Sequence, residues 1–74
     1  MRYFFDVYNG STTEDEEGME CPSAEHAIVE AGRAVAGMSA DIAKGGKLWV
    51  EVRDGAGPVA VVTVSIEIER KRPA

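Results

Sequence analysis

One stretch of the chain, Ser23 to Lys44, carries a helical period with punctuation at both ends, and it limits the fold more than any other feature. Ala24, Ala27, Ile28, Ala31, Val35, Met38 and Ile42 recur at steps of three and four, which lines one face of a helix with apolar groups. Ser23, after Pro22, is placed to cap the first turn, and Glu25 sits near the positive end of the macrodipole. His26 stands where a capping box would have Glu or Gln, so the box is incomplete. Lys44 suits the negative end, and Gly45 can take the left-handed conformation that closes a helix. Gly32 and Gly37 each cost about 1 kcal/mol relative to alanine within a helix, so packing against another surface has to hold this one together. A stripe so rich in alanine lets that surface come close.

The remaining apolar residues supply the surface. Tyr3 to Tyr8 is dense in aromatic and β-branched residues and runs into Asn9-Gly10, a hairpin turn signal. Its alternation puts Tyr3, Phe5 and Val7 toward the core and Phe4, Asp6 and Tyr8 on the other side. Ser11 to Cys21 reads as a short edge strand broken by the acidic run and Gly18, with Met19 and Cys21 dipping toward the core. Lys47 to Arg53 alternates Leu48, Val50 and Val52 against Trp49, Glu51 and Arg53. After an Asp54 to Pro58 turn, Val59 to Glu69 sets Ala60, Val62, Val64, Ile66 and Ile68 against Val59, Val61, Thr63, Ser65 and Glu67. The order β-β-α-β-β predicts a two-layer α+β domain: a four-stranded, mainly antiparallel sheet with one helix packed on one face. A right-handed crossover places the fourth, most apolar strand in the centre beside the first, although pairing the first strand with the third satisfies the same patterns.

A chain of 74 residues supports one core, read here as a single domain over 1–70 with a short basic tail at 71–74. The net charge of -5 disfavours general affinity for nucleic acid or an anionic membrane. The cluster Glu14, Asp15, Glu16, Glu17 and Glu20 reads as a solvated loop or edge. Lone Cys21 forms no internal disulfide and belongs to no zinc-type cysteine cluster, which points to a reducing cytoplasm. The start of the chain has no export signal and no run is long enough to span a bilayer.

Helix coverage of one sheet face leaves the other open, displaying Phe4, Asp6, Tyr8, Trp49, Glu51 and Arg53 as a candidate interaction surface. Two copies stacking this face, or pairing a strand edge, would support so small a core, and the expected state is a homodimer with room for an unidentified protein partner. Cross-strand pairing of Glu51 and Arg53 with Asp6 or Glu67 is the purely structural use of the same residues. Aromatics on a sheet also suggest a single-stranded RNA platform, but the acidic balance and the missing aromatic motif argue against it.

Chemistry finds little support. His26 faces Glu30 one turn on, as an exposed pair. Cys21 and His26 near a helix start could form a nucleophile and base, yet no third group orients them. Asp15, Glu17 and Gly18 lack the remaining ligands of an EF-hand, and Gly55 and Gly57 do not open a helix after a strand. The expectation is a non-enzymatic chain with no catalytic, metal or cofactor residues.

Arg2-Tyr3-Phe4-Phe5-Asp6, Asp15-Glu16-Glu17-Gly18 before a helix opening near Pro22, and Val50-Glu51-Val52-Arg53-Asp54 with Gly57 together resemble a family of small alphaproteobacterial proteins that is a domain of unknown function. The resemblance covers nearly the whole chain and implies a fold without an activity. In that family an aromatic commonly precedes the proline and an aspartate caps the helix, where this chain has Cys21 and Ser23. The pattern is also similar to HicB-type antitoxins, whose sheet and helix follow an acidic, glycine-containing turn. Two function classes follow: a small dimeric interaction or regulatory module, and an antitoxin-like or nucleic-acid-associated regulator.

Overall fold

The computed structural model describes residues 1–73. Its elements in chain order are β1 (Arg2–Tyr8), β2 (Thr12–Thr13), β3 (Met19–Glu20), α1 (Ala24–Gly37), a 3-10 turn (Ser39–Ile42), β4 (Gly46–Asp54) and β5 (Gly57–Ile66). All the strand pairings are antiparallel, in the order β2-β1-β4-β5, with β3 also pairing β1. This is an α+β fold with one helix against an open sheet. Of the basic tail at 71–74, Ala74 lies outside the described residues.

The expected edge strand exists as two fragments. Val7 pairs with Thr13 and Tyr8 with Thr12, while Arg2 pairs with Glu20 and Tyr3 with Met19. Three residues of β1, Phe4 to Asp6, therefore face five, Glu14 to Gly18, and the excess is thrown out as a loop. The preceding hairpin turns over three residues, Asn9 to Ser11, with Gly10 at φ 82°. Cys21 is buried at 2% exposure, but Met19, expected to dip inward beside it, stays 44% exposed. Met19 lies beyond the area that the helix covers.

The helix begins as its sequence dictates: Ser23 is extended, and its Oγ accepts the amide of His26 at 3.1 Å. Its end differs. The α-helix stops at Gly37 instead of running to Lys44, and a 3-10 turn follows. Gly37 has weak helical preference, and Ser39 Oγ donates to the Ala36 carbonyl at 2.8 Å, which competes with continuation of the ladder. The tighter turn still delivers Ile42 to the core. It also places Asp41 where its Oδ2 accepts Asn9 Nδ2 at 2.7 Å, tying the first hairpin to the end of the helical layer.

The strand order corrects the expectation of a central fourth strand. A two-residue turn, with Asp54 Oδ1 accepting the amide of Ala56, makes β5 the neighbour of β4. The first strand then docks on the other side of β4, so β4 is central and β5, despite its apolar content, is an edge. β5 also ends at Ile66 rather than Glu69, because its partner begins at Gly46, which pairs with Ile66. Ile68 consequently lies past the ladder and is exposed.

Leu48, Val50 and Val52 of β4 are fully buried under Ala27, Ala31 and Val35 of α1, with Tyr3, Cys21 and Ile42 closing the cluster. α1 packs over β4 and β5 rather than over β1. The inner side of β1 is left half covered, and a groove there is lined by Phe5, Met19, Glu30, Arg33 and Ala34. No helix among the described residues is long and apolar enough to cross a membrane.

Candidate interaction surface

Register decides what the open face looks like. Phe4 lies opposite Arg53, Asp6 opposite Glu51 and Tyr8 opposite Trp49, so the six residues singled out in the sequence form three adjacent cross-strand pairs. All six are half-buried. Tyr8 and Trp49 stack with ring centroids 3.9 Å apart and an interplanar angle of 11°. Lys47 lies over the Trp49 ring at 5.7 Å, extending the aromatic end of the patch with a cation that the sequence reading did not single out. On β5, Val61 and Thr63 continue the face beside Glu51 and Trp49.

Direct opposition of Asp6 and Glu51 sets two carboxylates side by side, which alone would destabilise the pair. Arg53 resolves this from the diagonal position: its Nε donates to Asp6 Oδ2 at 2.7 Å and its Nη2 to Asp6 Oδ1 at 3.4 Å. The same guanidinium lies over the Phe4 ring, with Cζ 4.6 Å from the centroid. Its hydrogen bond holds the Asp6 carboxyl below its ordinary pKa, and Asp6 in turn raises that of Arg53. The expected cross-strand pairing of Arg53 thus chooses Asp6, while Glu67 lies beyond the end of β5.

The acidic run is more ordered than a solvated loop. Both carboxylate oxygens of Asp15 accept backbone amides: Oδ2 from Phe5 and Oδ1 from Glu17 and Gly18, all at 3.1 Å. The Asp15 amide donates to Asp6 Oδ1 at 2.9 Å, and Arg53 Nη2 donates to the Asp15 carbonyl at 2.8 Å. Partial desolvation pushes the Asp15 pKa up, but the amides of Gly18, Phe5 and Glu17 outweigh it and hold the value below normal. Gly18 closes the loop at φ 73°, where a Cβ would meet the Tyr3 carbonyl oxygen at 2.8 Å. Asp15 and Gly18 were readable as an aspartate-led turn, since an Asp side chain bonds amides two and three residues on. Charge density hid that signal.

The Cys21/His26 pair considered from sequence separates into two roles. Cys21 is enclosed in the core. His26 is on the surface, its Nε2 3.8 Å from Glu30 Oε1.

The family model described as Domain of unknown function (DUF6894) matches residues 2–65. The chain belongs to this family. The match spans β1 to all but the last residue of β5, so the three-pair face and the Asp15 loop both lie within the DUF6894 domain. No curated protein and no solved structure matches the chain.

Proposed function

We propose that this DUF6894 chain is a small cytoplasmic protein-interaction or regulatory module that works as a homodimer through its sheet. The observation that carries the interaction reading is the uncovered face, where Tyr8 and Trp49 stack, and Arg53 is fixed by both Phe4 and Asp6. Side chains held this way lose little freedom on binding, so a flat protein surface can dock on them at low entropic cost. Aromatic and arginine groups are also the residue types that dominate protein interfaces. A cytoplasmic setting is supported by Cys21, free and buried.

Sedimentation velocity on the whole chain tests the dimer. The expected species has twice the 7.9 kDa of one chain, and a monomer at high micromolar concentration overturns the reading. The role of the face is tested separately by partner capture with Trp49→Ala and Phe4→Ala, each expected to abolish capture without changing the sedimenting mass.

A further inference from the structure

We propose that the homodimer forms by antiparallel pairing of β5 with β5 of a second copy, centred on Val62, with the two α1 helices packed side by side on the same face of a continuous sheet. This rests on the homodimeric reading above and specifies its contact.

β5 is the terminal strand of the sheet and the longest, with ten residues, and from Gly57 to Ile66 it carries no charged side chain. Every second residue of such an edge turns its N–H and C=O outward without a partner in the sheet. Natural edges are usually blunted by charge, irregularity or brevity. The bulge in the β4–β5 ladder leaves Val59 without a partner beside Pro58 at the start of the strand, and Ala60 to Ile66 are regular.

A second copy fits this edge for reasons of geometry. A two-fold axis that pairs a strand antiparallel with itself runs perpendicular to the sheet, so both helices fall on one side. Because α1 rests over β4 and β5 alike, its axis lies roughly half a strand spacing inside β5. Adding one strand spacing between the two β5 strands puts the helix axes about 10 Å apart, the separation at which helices pack. The flank of α1 with Glu30, Arg33 and Ala34 borders the groove on the β1 side. Helical geometry then turns the opposite flank, with Ile28 and Gly32, toward the β5 edge. Ile28 is half-buried, and the space a Gly32 side chain would occupy is empty to 4 Å. A second helix would fill that space.

Centring on Val62 also sets Val61 opposite the partner's Thr63 on the open face and Ala60 opposite the partner's Val64 beneath the helices.

The register is read by charge substitution at two exposed positions, Val61 and Thr63. V61K/T63K places lysines directly opposite one another twice in the dimer and is expected to sediment at half the wild-type mass. V61K/T63E restores opposite charges at the same positions and is expected to sediment as a dimer. Ile28→Glu is expected to weaken association, and circular dichroism should show all three variants folded. A dimer indifferent to V61K/T63K but dissociated by Trp49→Ala overturns β5 pairing while leaving the homodimer intact. A wild-type monomer removes both.

Discussion

The two edges of this sheet are built on opposite plans. The edge beside β1 is two strand fragments of two residues each, separated by an acidic loop that Asp15, Asp6 and Arg53 hold in one shape. The edge at β5 is a ten-residue strand with uncharged side chains throughout. The first edge cannot template another strand, because its ladder is interrupted and its excess residues project from it. The second is long and uncharged, and its irregularity is confined to the stretch beside Pro58. The contrast teaches that charge in this chain is concentrated at one side of the sheet, while the other presents the uncharged edge at which the proposed dimer would pair.

The central strand bears on both edges, and the largest effect is expected there. Leu48→Ala removes a fully buried side chain and should cost about 3 kcal/mol, read as a drop in urea midpoint. In a chain this small that loss leaves neither edge well formed. Gly18→Val attacks the closed edge alone. A β-branched residue at φ 73°, aimed at the Tyr3 carbonyl, should cost about 2–3 kcal/mol, with amide exchange accelerated most in β3 and the acidic loop.

Asp15→Ala strands three backbone amides, with an expected loss of about 1–2 kcal/mol in thermal or chemical unfolding. It carries a pH signature. Asp6 and Asp15 both have folded-state pKa values lowered from 3.8. Their contribution is therefore fully present above that unfolded value and is lost as pH falls through the lower folded values. Wild-type stability should hold from neutral pH until near 4 and then decline, and Asp15→Asn should flatten the decline. An identical acid limb in the variant would mean that the loop is not held by its carboxylate.

The smallest effect belongs to the open edge. Val61, 55% exposed, lies outside the core, and Val61→Lys should change the intrinsic stability of one chain by less than about 0.5 kcal/mol. A larger loss that grows with protein concentration would locate Val61 in an interface.

Much of the fold was legible in the residues. Period-two alternation separated Tyr3 and Leu48 from Phe4 and Trp49, and Pro22-Ser23 announced the helix start. These signals are local, since the side-chain direction of a strand residue follows from its parity and a cap follows from its own hydroxyl. The six residues of the open face were legible for the same reason. That Asp6 would meet Arg53 rather than a residue of β5 was not, because pairing partners depend on which strand docks on which.

The sequence by itself determined the element types, the single helix, the two faces of the sheet and a hairpin between the last two strands. Only the tertiary structure decided that β4 lies at the centre and that the most apolar strand is left at an edge. It also decided that the helix yields to a 3-10 turn after Gly37, and that the Asp15 loop is tied to Phe5, Asp6 and Arg53 instead of lying in solvent. Each of these outcomes is a competition between alternative partners: β1 for β4 or β5, the Ala36 carbonyl for the next amide or for Ser39, Asp15 for water or for three amides. Local propensity sets the terms of such competitions, and packing settles them.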